Sequence, residues 1–238
     1  MDNGEFVVGI DIGGSHVGVC IMHCNGKILG EADAPVTNRD QNNVIELIFG
    51  LVDDLVRKYP STKISAIGIG SPGQPKNGCI IAASNFPTWK NVPLAAIIGK
   101  RYSVPSFLFK DSDAAFAAEI WGHGSSLKDV QNAVILTLGT GIGCSILING
   151  QFYGGTSGLV EGGHMIIDRS SSSLQCSCGQ RGCVEAYASA GNTVKRYLQA
   201  AQIPLQSTGA NIGAIDIFER AQVDRVAADV LDEVDRGM

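Results

Sequence analysis

Two stretches of the chain repeat one pattern: an apolar strand, a glycine turn, a return strand and an Asn-Gly dipeptide. In the first, Phe6-Val7-Val8-Gly9-Ile10-Asp11-Ile12 runs into Gly13-Gly14-Ser15-His16. A second strand covers Val17 to Met22, and Asn25-Gly26 turns the chain into a third, Lys27 to Glu31. In the second, Ala133 to Gly141 is a strand entering a glycine turn, Cys144 to Ile148 returns, and Asn149-Gly150 closes the hairpin. The spacing is 13 positions from Gly13 to Gly26 and 11 from Gly139 to Gly150. An internal repeat of this kind predicts two related α/β lobes facing each other across a cleft.

Between the copies the periods alternate. Asn42 to Tyr59 places Val44, Leu47, Ile48, Leu51, Val52, Leu55 and Val56 at helical spacing, and Pro60 ends it. Ser65 to Gly70 reads as a strand with Ser71-Pro72-Gly73 as its turn. Leu94 to Tyr102 reads as a helix, Pro105 to Phe109 as a strand and Ala114 to Trp121 as a helix. The order is βββαβαβα before the second copy begins. After Cys183 the expectation is helix throughout: Glu185 to Ala201, Ile212 to Ala221 and Val223 to Val234. The strands that would complete a second lobe are missing, which reads as a fragment of a longer protein sooner than as a reduced second lobe. The lobes are expected at 1–122 and 123–238.

One histidine and three cysteines, His164, Cys176, Cys178 and Cys183, stand at metal-ligand spacing. Soft thiolates with one imidazole suit a tetrahedral zinc, and four protein ligands leave no position open for a substrate. The ion would fold the segment, and His164 would keep its second ring nitrogen for another partner. Glu161 and Glu185 bracket the segment. Solvated surface glutamates are the commoner case, but glycine-rich surroundings beside metal ligands favour fixed placement.

Of the seven cysteines, the remaining four read as small buried apolar residues rather than a disulfide framework. The net charge is −5, which suits neither a nucleic-acid nor an anionic membrane surface. No apolar run approaches the roughly 20 residues of a membrane span. Met1 to Glu5 lacks the basic start of a signal peptide, so the cytoplasm is the expected compartment.

The glycines at 13–14 and at 139, 141 and 143 let backbone N–H groups approach phosphate oxygens, with the hydroxyl of Ser15 as an added donor. A strand followed by Gly-Gly is more often a plain tight turn; repetition favours phosphate. Asp11 is placed to hold Mg²⁺ through water. Lys110-Asp111-Ser112-Asp113 opens a helix after a strand. One aspartate reads as an N-cap, and the other is placed to accept a proton from a substrate hydroxyl. Asn85-Phe86-Pro87-Thr88-Trp89 is a turn that would give a sugar site an amide and an aromatic wall, or simply pack as a loop.

Together these residues resemble the ROK family of sugar kinases and sugar-responsive repressors, from about Val7 onward. Asp11 to Ser15 and Leu138 to Gly143 resemble its two phosphate loops. Gly70 to Gly73 and Asn85 to Trp89 resemble its sugar loops, and Asp111 to Glu119 its catalytic segment. Glu161 to His164 with Cys176 to Glu185 resembles its signature, which is highly specific where glycine loops alone are weak. The resemblance implies an α/β, actin/hexokinase-like (ribonuclease H-like) two-lobe fold with a zinc-stabilised insertion, here with the second lobe incomplete.

It also implies an ATP-dependent hexose kinase. Asp111 would be the general base toward a sugar hydroxyl, the 6-OH of glucose first, with N-acetylmannosamine, N-acetylglucosamine and fructose as alternatives. Asn85, Asp111, Glu161, His164 and Glu185 would bind the sugar. Asp11, Gly13, Gly14, Ser15, His16, Gly139, Thr140 and Gly141 would hold MgATP, and His164, Cys176, Cys178 and Cys183 structural Zn²⁺. A homodimer is implied as well. The chain departs from the family at Lys110, where asparagine is usual, at His16, where lysine or asparagine is usual, and in lacking the C-terminal Gly-Gly motif. An ammonium cannot accept a hydrogen bond, so a sugar-binding sensor without catalysis is the second expectation. A DNA-binding repressor is not expected, because a strand beginning at Phe6 leaves no room for a preceding helix-turn-helix.

Overall fold

The computed structural model describes residues 5–122, 125–204 and 212–237, with side chains as far as residue 232. The N-terminal Met1 to Gly4 lies outside them. The described elements are β1 (Phe6–Ile12), β2 (His16–His23), β3 (Ile28–Pro35), α1 (Gln41–Lys58), β4 (Ile64–Ser71), β5 (Pro75–Lys76), β6 (Cys79–Ala82), β7 (Lys90–Val92), α2 (Leu94–Tyr102), β8 (Ser106–Lys110), α3 (Asp111–Trp121), β9 (Ala133–Leu138), β10 (Ile142–Ile148), β11 (Gln151–Phe152), α4 (Val184–Ala188), α5 (Ala190–Ala200), α6 (Ala214–Arg220) and α7 (Arg225–Gly237). By contact the chain forms two compact units, 1–133 with 146–159 and 134–145 with 160–238, so the division is not a single cut.

In the first unit a five-stranded sheet runs β3-β2-β1-β4-β8. β1, β2 and β3 form the expected antiparallel meander, and β4 and β8 join in parallel. Alternation sets the faces: Val8, Ile10 and Ile12 bury with Val44, Ile48 and Val52 of α1 and with Leu94 and Ile98 of α2. Asp11 belongs to the opposite face. There Gly70 leaves the space for Ala114 of α3, since an added Cβ would stand 3.4 Å from the Ala114 Cβ and 3.7 Å from Asp11 Oδ1. Asp40 caps α1 by accepting from the Asn42 N–H at 3.0 Å.

The Asn25-Gly26 turn forms with only the glycine left-handed, closed by Gly26 N–H to the His23 carbonyl at 2.9 Å. At Asn149-Gly150 both residues are left-handed, with φ of 51° and 73°, as a tight two-residue hairpin requires. A third Asn-Gly turn, at Asn77-Gly78 with φ of 51° and 75°, joins β5 to β6. It builds the small sheet β5-β6-β7 that the periodicity missed, because its strands are only two to four residues long. The dipeptide itself was the available signal.

β9 and β10 belong with β11 in a three-stranded sheet. Val134, Leu136 and Leu138 of β9 are exposed, so this strand keeps an apolar face at the surface. The expected helix Glu185 to Ala201 is two helices, α4 and α5, with Ser189 between them in extended backbone and accepting from Asn192 N–H as the α5 cap. Tyr197, Leu198, Ile217, Ala227 and Val230 of α5, α6 and α7 form the helical core of the second unit.

Candidate functional site

The first unit gathers its candidate residues at one sheet edge. β1, β4 and β8 are parallel, and their register pairs Asp11 with Gly70, and Ser71 with Lys110. Asp11 and the start of α3 therefore emerge at the same carboxyl end, about 10 Å apart across two strand spacings. Ligands of open α/β sheets bind outside such ends. Asp111 begins α3, is exposed, and accepts from Ser112 N–H through Oδ1 at 2.7 Å. The N-cap position falls to Lys110, whose side chain caps nothing. Lys110 is buried at 6% exposure, so the residue that replaces the usual asparagine is built into the end of β8.

The first glycine turn closes through Gly13 N–H to the His16 carbonyl at 2.8 Å, and Val36 N–H donates to the Ser15 carbonyl at 2.7 Å. The closing bond uses the N–H of Gly13, not those of Gly14 and Ser15. The side chains of Ser15 and His16 are exposed and 3.2 Å apart. Asn85, exposed on the loop between β6 and β7, lies against Gly14. Asp11 is accessible, yet neighbouring chain excludes enough water from its carboxyl to raise its pKa above the ordinary value. Such a carboxylate gains from a nearby cation, and one carboxylate plus waters is a usual Mg²⁺ environment.

The aromatic wall expected of Trp89 is not there. Trp89 is 1% exposed and stacks on the fully buried Phe86, with ring centroids 4.7 Å apart, inside the main core. Apolar burial outcompeted the surface role, and Asn85 alone of the pair faces outward.

In the second unit the second glycine turn closes through Gly139 N–H to the Gly141 carbonyl at 2.9 Å, one residue shorter than the first turn. Ala190 N–H at the start of α5 also donates to the Gly139 carbonyl, at 2.9 Å. Glu161 precedes a 3₁₀ turn, Gly162–His164, and its carbonyl accepts from His164 N–H at 3.0 Å. Gly162 and Gly163 are required there: added Cβ atoms would stand 2.8 Å from Cys144 Sγ and 2.5 Å from the Ile142 carbonyl oxygen.

The ligand atoms of His164, Cys176, Cys178 and Cys183 all lie within 4.8 Å of one another. Cys178 Sγ is 3.7 Å from Cys183 Sγ, and Cys176 Sγ is 3.6 Å from His164 Nδ1. Tetrahedral zinc with Zn–S of about 2.3 Å and Zn–N of about 2.0–2.1 Å has S–S and S–N edges of about 3.8 and 3.6 Å. The residues fit that ion, with Nδ1 of His164 turned toward the thiols and Nε2 left for a second partner. Burial pushes the Cys183 thiol up to about 12, while hydrogen bonding from Gln180 N–H pulls Cys178 down.

Residues outside the expected set hold this loop. Tyr187 donates its hydroxyl to Asp168 Oδ2 at 2.5 Å and accepts from Leu174 N–H at 3.1 Å. Gly179 and Gly182, at φ of 91° and 80°, make the bends between ligands. Glu185, half-buried, accepts from Ile142 N–H at 2.9 Å through Oε2 and from the Ser177 hydroxyl at 2.9 Å through Oε1. The glutamate was legible from its place beside Cys183; its partners Ser177 and Ile142 were not, because nothing in their local pattern marks them.

Residues 7–238 match the ROK family, and the chain belongs to it. It is 33% identical to a glucokinase of Thermotoga maritima over 199 residues, 81% of this chain and 60% of that protein. It is 30% identical to a xylose repressor of Caldicellulosiruptor bescii over 190 residues, 77% of this chain and 46% of that one. Among solved structures, a ROK family glucokinase from Streptomyces griseus in complex with glucose and AMPPNP superposes with a TM-score of 0.77. That pair is 27% identical, over 98% of this chain and 76% of the other. The chain thus spans about half to three fifths of the length of these curated relatives. The mixed α/β fold is that of the ROK sugar kinases, the actin/hexokinase-like plan. Among the described residues no helix is long and apolar enough to cross a membrane.

Proposed function

We propose that this chain belongs to an ATP-dependent hexose kinase in which Asp111 is the general base. The observation that carries this reading is the parallel register that brings Asp11 and Asp111 to one sheet edge, with Asn85 packed against the first glycine turn beside them. Similarity to a glucokinase that binds glucose and AMPPNP supports it. Asp111 accepts the proton of a sugar hydroxyl, the 6-OH of glucose first, as that oxygen attacks the γ-phosphate in line. Phosphoryl transfer needs mainly position and charge stabilisation. The N–H groups of Gly14 and Ser15, and those of Thr140 and Gly141, supply donors to phosphate oxygens, with the Ser15 hydroxyl and His16 beside the first turn. Asp11 is the residue that would hold Mg²⁺, the ion neutralising phosphate charge.

Asn85, Glu161, His164 through Nε2 and Glu185 are the proposed sugar contacts. Each Glu185 oxygen keeps acceptor capacity beyond its protein partner, since a carboxylate offers about four lone-pair sites. His164, Cys176, Cys178 and Cys183 would hold Zn²⁺, which contributes folding energy to the loop that carries His164 and Glu185.

A second reading, a sugar-binding regulator without catalysis, is favoured by the similarity to a xylose repressor and by the buried Lys110. ADP release with MgATP and glucose, N-acetylmannosamine, N-acetylglucosamine or fructose separates the two. Turnover that vanishes in Asp111→Asn supports the kinase. Calorimetric sugar binding with neither nucleotide binding nor ADP release above the Asp111→Asn control selects the regulator.

A further inference from the structure

We infer that Glu185 is a positioning residue that links the metal cluster to the second glycine turn, so that filling the cluster orders the turn. The link is built from both ends of one side chain. Oε2 accepts from Ile142 N–H, the first amide of β10 directly after the turn, at 2.9 Å. Oε1 accepts from the hydroxyl of Ser177, which stands between two metal ligands, and lies 3.9 Å from the sulfur of one of them, Cys176. Glu185 itself sits two residues after Cys183 and on the first turn of α4. Asn192 Nδ2 donates to its carbonyl at 3.0 Å, which ties the backbone of α4 to α5.

The approach of the carboxylate to the turn depends on a missing side chain. A Cβ on Gly141 would stand 2.6 Å from Glu185 Oε2. The contact is therefore closer than any other residue at 141 would permit without displacing the carboxylate. Ile142 is 3% exposed and packs with Val184 and Ala188 of α4, so apolar side chains shield one flank of the charge-assisted hydrogen bond from its amide to the half-buried Glu185. His164 joins the same piece, because Gly163 lies directly on Ile142. Two parts of the cluster thus bear on Ile142, Cys176 through Ser177 and Glu185, and His164 through Gly163. Where binding at one end of such an element changes affinity at the other, linkage makes the factor the same in both directions.

The test reads the Ile142 amide by hydrogen exchange, with Leu198 of α5 as internal control and zinc content measured in each sample. In the zinc-loaded chain Ile142 is protected, and chelation speeds its exchange by roughly tenfold, the loss of one charge-assisted bond, with Leu198 unchanged. Glu185→Gln removes the charge and leaves a neutral oxygen to accept from Ile142 N–H, so the bond loses its charge assistance; it is expected to hold zinc yet exchange Ile142 faster than the wild type. Ser177→Ala cuts only the metal-side arm and carries the test if Glu185→Gln does not fold. It is expected to leave Ile142 protected but less responsive to chelation. Unchanged Ile142 protection in zinc-loaded Glu185→Gln overturns the link. So does a wild-type response to chelation in Ser177→Ala, or equal speeding at Leu198. The effect on nucleotide rests on the function proposed above. AMPPNP affinity in the same samples separates the two: amide coupling without AMPPNP binding supports the link and rejects nucleotide binding at the turn.

Discussion

Gly14 and Asn85 touch without a side chain on the glycine. A Cβ at position 14 would stand 3.1 Å from Asn85 Nδ2 and 3.3 Å from its Cγ. The first glycine turn and the exposed Asn85 amide of the loop between β6 and β7 are therefore set by one contact. Gly14→Ala is expected to push the amide by a few tenths of an ångström and weaken hexose binding by about tenfold, close to 1.4 kcal/mol. Thermal stability should fall little, since the amide is at the surface. Calorimetry with glucose beside a melting curve checks this; equal glucose affinity would remove Asn85 from the sugar site.

Trp89 gives the opposite expectation. Its indole is buried against Phe86, with Nε1 enclosed and without a hydrogen-bond partner. Trp89→Phe should cost about 1–2 kcal/mol of stability, as lost volume is partly offset by removing a buried N–H. Hexose affinity should stay at the wild-type value. A large loss of affinity at unchanged stability would return Trp89 to the site.

Gly182 stands one residue before Cys183 of the proposed metal cluster with φ of 80°, and an added Cβ would overlap the Asp168 carbonyl oxygen. Gly182→Ala is expected to destabilise the loop by about 2–4 kcal/mol. Zinc per chain, measured after purification without added metal, should drop with the melting temperature. Full zinc content in a chain of wild-type stability would refute the proposed loop geometry.

Asp168 is held below the ordinary carboxylate range, first by the Tyr187 hydroxyl and then by Ser170. A depressed folded pKa stabilises above the unfolded value of about 3.9 and is lost as pH falls through the folded value. Tyr187→Phe should raise the Asp168 pKa toward 3.9, lower stability at neutral pH and flatten its fall in acid. Carboxyl NMR titration of both forms measures the shift; an unmoved Asp168 would exclude Tyr187 as its main partner.

Much of this protein was determined locally. The meander of β1 to β3, helix α1 and the turns at Asn25-Gly26 and Asn149-Gly150 follow from period and from residues that tolerate left-handed backbone. The clustering of His164, Cys176, Cys178 and Cys183 was legible from residue type and spacing, because a soft tetrahedral ion would need few and particular atoms. Tertiary structure alone decided the rest. It sent Trp89 into the core while leaving Asn85 outside, since burial is a contest among all apolar groups. It assembled β5 to β7 from segments too short to show a period. It broke the helix after Ala188 and spent the Glu185 carboxylate on Ile142 and Ser177. These partners lie 43 and 8 positions away, at separations that no local pattern in a single chain records.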